Sequence, residues 1–416
     1  MPSVTSERQL YLGLASKAGE NVPAVALLKL VRQGVVESGE FAYGSQYLRS
    51  HQAAAINPLH LVLQEAVYQL PPRRLRDGGA LPLSLRDALP DAWGRRVLEV
   101  QHGKQLSDLD VLLSTNEDRV GALVFSQSLP IEVPVPPEAL HDLDALAHAA
   151  AQLEAGNTTD RSLQRLLQVG GSLGGLRPKA TFIHAGCRHI AKFPSRGDSC
   201  DMAALEAATL ALARQCGIAV PPFFVQPLQR GQALLLERFD RIGLLGTETR
   251  LHYLSASAVL DVPYEGSAGS YVELAQAVRR LCTEPQAELE QLYRRLVFNL
   301  VVDNSDDHVK NHGLLRGADG QWRLAPAFDL VIQLNHLGYQ ALAVLPGRFD
   351  SHLDLARAAA PQFGLSTARA EDLINSVADT VHLQYGVMLD AHGADKSLRL
   401  KVRAALEKQA RLIGLR

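Results

Sequence analysis

The segment that most constrains this chain is NLVVDNSDDHVKNHGLL, residues 299–315. An apolar run stops abruptly, and Asp303, Asn304, Ser305, Asp306, Asp307, His308, Lys310, Asn311 and His312 follow before apolar sequence resumes. Burying so polar a loop between two apolar elements costs free energy unless its groups are paired or put to use. The sequence before it reads as a helix. In ELEQLYRRLVFNLVV (288–302), Leu289, Leu292, Tyr293, Leu296 and Leu300 fall on one face. The sequence after it reads as two short strands, GLLR (313–316) and QWRLA (321–325), around Gly317–Gly320.

The rest of the chain divides into a mixed α/β half followed by a helical half. Residues 1–128 combine short apolar segments with many prolines, and the proline-rich LPIEVPVPPE (129–138) reads as an extended boundary. A helix is expected over 139–154, ended by Gly156-Asn157. A glycine-dense loop, VGGSLGGLRPKA (169–180), leads into ATFIHAGCRHIAKF (180–193), two strands turning at Gly186. DMAALEAATLALARQCG (201–217) is a helix that Asp201 can cap and Gly217 can stop. QALLLERF (232–239) reads as a buried strand, and from about Leu254 onward the pattern is mostly helical.

Cys187, Cys200, Cys216 and Cys282 form no CxxC pair, which suits reduced thiols in a cytoplasmic protein better than a zinc site or a disulfide framework. The start of the chain lacks the pattern of a signal peptide, and no apolar run is long enough to span a membrane. A net charge of -2 forces no nucleic-acid partner.

Several residue types point to chemistry. Asp306 and Asn311 have the spacing of the base and the metal-binding asparagine in a kinase catalytic loop, where a carboxylate accepts the hydroxyl proton and an amide oxygen ligates Mg²⁺. Asp329, after an apolar strand, stands where a second metal-binding carboxylate belongs. Lys192 lies inside an apolar strand and Glu206 inside the helix 201–217, a pair able to hold ATP phosphates. The glycines before them let backbone N–H groups approach phosphate. Each alone has a bland reading: an exposed acidic turn, a helix cap, surface charges, a flexible loop. Their order along the chain is that of a kinase. A metal-only hydrolase on Asp303, Asp306, Asp307, His308 and His312 would leave the glycine loop and Lys192 without a role.

At SLGGLRPKA (172–180), HIAKF (189–193), LLLERFDR (234–241), NSDDHVKN (304–311) and LAPAFDL (324–330) the chain resembles the HipA family of serine/threonine kinases, toxins of type II toxin–antitoxin pairs. GEFAYGSQYL (39–48) and LRDALPDAWGRRVL (85–98) resemble that family's N-terminal subdomain. The resemblance implies an α+β, two-lobed protein-kinase-like fold. It would comprise an N-terminal subdomain (1–130), a kinase N-lobe (138–253) and a helical C-lobe (254–416). It implies Asp306 as catalytic base and Asn311 and Asp329 as Mg²⁺ ligands. ATP would be held by Ser172, Gly174, Gly175, Lys179, Lys192, Glu206, His308, Lys310 and Asn311, with autophosphorylation on Ser172. The implied partners are a HipB-like helix-turn-helix antitoxin, operator DNA reached mainly through it, and a protein substrate such as an aminoacyl-tRNA synthetase. Arg177-Pro178 departs from the family pattern before the loop lysine. The competing readings are a small-molecule phosphotransferase and a non-catalytic corepressor.

Overall fold

The computed structural model describes residues 5–17, 19–115, 118–133, 142–157, 177–264 and 268–415. Buried and exposed residues alternate along β1 (Thr5–Leu14) and β2 (Ala26–Gln33), as expected of strands with one face on a core. With β3 (Val36–Tyr43), β4 (Tyr68–Arg74) and β5 (Leu123–Ser126) they form an antiparallel sheet of order β4-β3-β2-β1-β5. Leu10 pairs in register with Leu28, and Leu10, Leu12, Leu28 and Phe41 are buried in this sheet's own core. The helix α1 (Ala92–His102) follows, carrying Trp93 inward.

The second sheet holds β6 (Lys179–His184), β7 (Cys187–Lys192), β8 (Phe223–Pro227) and β9 (Gln232–Glu237), in the order β8-β9-β7-β6. The hairpin β6–β7 turns at Ala185-Gly186, as the sequence leads one to expect. One face of this sheet packs on α2 (Leu143–Glu154) and on Trp93 and Val97 of α1. The other face covers α3 (Met202–Gln215), whose N-cap Asp201 accepts from the Ala204 amide at 3.0 Å. Gly217 ends the segment with φ +76, a conformation that costs a glycine little.

The helical half contains α4 (Tyr271–Leu281), α5 (Pro285–Val301), α6 (Thr367–Ala391) and α7 (Lys396–Leu412). The one-sided pattern read in 288–302 is the buried face of α5: Leu289, Leu292, Tyr293, Leu296 and Leu300 are all within the core. The long helix α6 packs against both α5 and α3, so α3 shares one continuous core with the helical half. The two strands expected after the polar loop are present as β11 (Gly313–Arg316) and β12 (Trp322–Leu324). They pair with a further strand, β10 (His252–Ser255), which runs across residues 253–254. No local pattern in the sequence announced it, because its residues are buried on both faces and alternate in no way. Among the described residues no helix is long and apolar enough to cross a membrane.

The N-terminal sheet is tied to the rest by buried polar contacts. Asn57 Nδ2 donates to the Ala258 carbonyl at 2.8 Å, and the Asp87 carboxylate accepts from the Ser255 amide (2.7 Å) and hydroxyl (2.6 Å). The RFDR segment closes a second junction. Arg238 donates to the carboxylates of Asp118 (2.8 Å) and Asp240, Arg241 Nη1 donates to Asp240 (2.6 Å), and Asp240 accepts from the Gly121 amide (2.8 Å). Gly121 has φ +79, which favours glycine, and an added Cβ would press on Tyr253 at 3.2 Å from its backbone nitrogen.

Candidate active site

The polar loop emerges from the C-terminal end of α5 and is held by its own buried side chains. Tyr271 of α4 donates its hydroxyl to Asp307 and accepts from Asn299 Nδ2 at 3.0 Å. Asn304 Nδ2 donates to Asn299 Oδ1 at 3.2 Å, and His312 Nε2 lies 2.9 Å from Asp307. Burial by itself would raise the Asp307 carboxyl, but His312 and the Tyr271 hydrogen bond outweigh it and hold Asp307 below the usual carboxylate range. The loop backbone is pinned as well, the Leu342 amide donating to the Asp307 carbonyl at 2.8 Å. Asp303, at φ +52, accepts from Ser351 Oγ (3.2 Å) and lies 3.0 Å from His336 Nδ1. The loop's polarity is therefore resolved mostly by structure, with Asp303, Asn304 and Asp307 as fastenings.

Asp306 is the exception. It alone of the loop's carboxylates faces solvent, between two buried neighbours, Ser305 and Asp307. Partial burial raises its pKa, His308 lowers it, and the nearby charges of Asp329 and Asp307 raise it again, leaving it above the ordinary value. The acid limb of any activity that needs ionised Asp306 is expected above the usual aspartate range. His308→Ala removes a lowering influence and should move that limb to still higher pH, as a pH–rate profile would record.

Lys192, in β7, meets Glu206 of α3 at 2.6 Å and forms a second ion pair with Asp329. Burial works against the Lys192 charge, but two carboxylates overcome it and hold the ammonium well above its ordinary range. Glu206 is buried, which pushes its carboxyl up; partial burial would raise Asp329 as well, but Lys192 and Lys179 outweigh it and hold that carboxyl down. Asp329 keeps 42% of its side chain exposed and has φ +53, a conformation unusual for a residue with a side chain. Lys179 is the in-register neighbour of Lys192 across the β6–β7 hairpin. Burial first, and the Lys192 charge second, push its ammonium down to about 8. Lys192 and Glu206 border a cavity of about 220 Å³ together with Arg177, Phe193, Met202 and Leu234.

Mg²⁺ takes hard oxygen ligands and usually keeps waters and phosphate oxygens in its shell. Asn311 Nδ2 donates to the Asp306 carbonyl at 3.1 Å, which orients the amide and leaves Oδ1 available. Asp329 gives one oxygen to Lys192 and retains the other. These donors suit Mg²⁺. Among the described residues no group of three or more His, Cys, Asp or Glu could hold a metal unaided, so phosphate and water would complete the shell.

Of the residues singled out in the sequence, Lys192, Glu206 and Asp329 are in direct contact, and Asp306, His308 and Asn311 share one short turn. Ser172, Gly174 and Gly175 lie outside the described residues. Lys310 turns elsewhere: its ammonium sits 3.0 Å from Asp91, at the start of α1, and 4.3 Å from the centre of the Tyr264 ring. Sequence reasoning missed Asp91 and Trp93, whose indole donates to the Lys179 carbonyl at 2.9 Å. An aspartate opening a helix looks like an ordinary cap, and only a partner two hundred residues away makes it more.

Comparison with known proteins gives the family and the fold. Residues 171–385, more than half of the chain, match the model of the HipA-like C-terminal domain, and residues 27–126 match that of the HipA N-terminal domain. Two Sinorhizobium fredii proteins named as candidate kinases are related in sequence. Y4mE is 30% identical over 148 residues (34% of this chain, 34% of Y4mE), and Y4dM is 26% identical over 205 residues (46% of this chain, 48% of Y4dM). The chain thus spans about a third to a half of the length of these relatives. The HipA of Shewanella oneidensis, solved with HipB and operator DNA, superimposes with a TM-score of 0.63 at 16% identity, over 97% of this chain and 96% of that one. The two-lobed α+β fold is therefore shared across almost the whole length, and the chain belongs to the HipA family.

Proposed function

We propose that the protein is an ATP-dependent serine/threonine protein kinase acting as the toxin of a type II toxin–antitoxin pair. The observation that carries this reading is Lys192 held between Glu206 and Asp329, with Asp329 close enough to the turn of Asp306, His308 and Asn311 for its charge to act on Asp306. Lys192 and Lys179 bind and orient the phosphates of ATP, to which the glycine-rich segment with Ser172, Gly174 and Gly175 would offer backbone N–H groups. Asn311 Oδ1 and the second carboxylate oxygen of Asp329 would hold Mg²⁺, which would supply Lewis-acid neutralisation of the phosphate charge when bound. Asp306 orients the acceptor hydroxyl and takes its proton. The hydroxyl oxygen bonds to the γ-phosphorus, the bond to the β–γ bridging oxygen breaks, and ADP leaves with that electron pair.

The substrate on this reading is a protein, with an aminoacyl-tRNA synthetase such as the glutamyl or tryptophanyl enzyme as the first candidate, so that transfer arrests translation in the cytoplasm. The partner is a HipB-like antitoxin, through which the near-neutral chain reaches operator DNA. The work divides among an N-terminal subdomain (1–130), an ATP-binding lobe (138–253) and a helical lobe with the catalytic loop (254–416). Autophosphorylation of Ser172 would add roughly -1.5 to -2 charges to the phosphate-binding loop, repelling ATP from it. Ser172→Asp is expected to lose most of its transferase activity, measured with labelled ATP, and a fully active variant would remove this form of control from the reading.

The deciding experiment incubates wild type and Asp306→Asn with Mg²⁺ and γ-labelled ATP and maps the labelled peptides. Label on Ser172 in the wild type alone supports the kinase. ATP binding without transfer to Ser172 or to any synthetase supports the corepressor instead.

A further inference from the structure

The turn Val309–Asn311 sends two adjacent side chains to different places. Asn311 faces back to the Asp306 carbonyl, while Lys310 reaches out to the N-terminal sheet domain and ends on Asp91. Asp91 occupies the N-cap position of α1, where an aspartate usually accepts a hydrogen bond from the first helical amides. Here its side chain caps nothing. The carboxylate gives up that stabilisation, typically about 1 kcal/mol, and turns to Lys310, which is also held over the Tyr264 ring. The surroundings keep this contact in place. Four residues earlier, Asp87 is locked to Ser255 of β10, and two residues later Trp93 is bonded to the Lys179 carbonyl. The segment 87–93 therefore touches β10, whose pairing partner β11 begins where the catalytic loop ends, the loop itself through Lys310, and the main chain of Lys179. A cavity of about 170 Å³, lined by Asp87, Asp91, Arg95, Ser257, Tyr264 and Lys310, opens along this seam.

We propose that Asp91 is a positioning residue for phosphoryl transfer: it holds Lys310, and through it the Asp306–Asn311 turn, so that the N-terminal domain supplies part of the transfer site. This deepens the kinase reading and rests on it. Asp91 touches no reacting atom. Its effect is on where Asp306 and Asn311 stand when the acceptor hydroxyl arrives, and misplacement of a catalytic group by as little as 1 Å can cost 10²-fold in rate. The N-terminal domain would then be a component of the enzyme whose displacement slows the chemistry without blocking the nucleotide site.

The test uses the full-length chain in five forms: wild type, Asp91→Asn, Asp91→Glu, Lys310→Met, and the charge-reversed pair Asp91→Lys with Lys310→Asp. Asp91→Asn is expected to lower kcat by about tenfold to 10²-fold with the KM for ATP within twofold of wild type. The Asp91→Glu variant and the reversed pair should recover part of that loss. Unchanged kcat in Asp91→Asn, or no recovery in either rescue variant, would overturn the proposal. Hydrogen exchange separates its failure from that of the kinase reading. Whether or not the wild type transfers phosphate, amides of residues 306–312 should exchange faster in Asp91→Asn while the α5 core stays protected. Identical exchange in that turn would reject the positioning role even in an active enzyme.

Discussion

An Asp306→Asn variant is expected to transfer phosphate about 10²–10⁴ times more slowly than wild type, the range typical for loss of a positioned general base. Its affinity for ATP should be nearly unchanged. The two effects separate because the exposed Asp306 side chain has no hydrogen-bond partner among the described residues, whereas on the proposed reading the nucleotide is met by Lys179 and Lys192, with Glu206 and Asp329 beside them. The amide keeps the size of the side chain and cannot take the proton. The loop should keep its shape, since Asp306 touches Asn311 through its main-chain carbonyl, which the substitution leaves alone. Lys192→Met is the contrasting variant. It leaves the buried Glu206 and the half-buried Asp329 without the cation that bridges them, so ATP binding and thermal stability should fall together. Single-turnover transfer, ATP titration and thermal melting on the two variants would show the contrast. Equal loss of nucleotide affinity in both would argue that Asp306 belongs to the nucleotide site and is not the base.

Asp240→Ala is expected to destabilise the fold by about 3–5 kcal/mol, the cost of breaking a buried ion pair by removing one partner. Asp240 is 2% exposed and accepts from Arg238, Arg241 and the Gly121 amide, while Arg238 and Arg241 are 3% and 5% exposed. Its removal leaves Arg238 on Asp118, which Arg188 also pairs with, and Arg241 on the Gly121 and Arg119 carbonyls. The same carboxylate carries a pH signature. Burial would raise its pKa, but Arg238 and Arg241 overcome that and depress it strongly. A depressed carboxylate contributes stability that is present above its unfolded value, near 3.8, and is lost as pH falls through the lower folded value. The wild type should therefore lose stability on acidification below about pH 4, and Asp240→Ala should show a weaker acid dependence on a lower plateau. Urea melts at several pH values would measure both.

What could be read from the sequence was set by distance along the chain. The hairpin at Gly186, the capped helix over 201–217 and the one-sided helix before residue 303 each rest on signals a few residues apart, and each is present. The contact of Lys192 with Glu206 could be anticipated because a strand and the next helix carry the two charges in order. The seam between the N-terminal sheet and the helical half could not. Asp91 with Lys310, Asp87 with Ser255, and Arg238 with Asp118 are pairs separated by more than a hundred residues, and nothing in local periodicity marks either member. The polar loop was misleading in proportion: most of its carboxylates and amides are fastenings, and only burial distinguishes Asp306 from Asp307.

The way α3 is packed has a consequence for control. Kinase-like enzymes can be turned off by swinging the helix that bears the glutamate away from the lysine strand. Here that helix is wedged between its sheet and the long helix α6, with Ala204, Leu205, Ala208 and Leu212 fully enclosed. Moving it would tear open the largest apolar core of the molecule, a far larger cost than a regulatory contact can supply. The lysine–glutamate clasp is thus a fixed part of the frame, and a switch for this protein has to work at its edges, such as the seam with the N-terminal sheet.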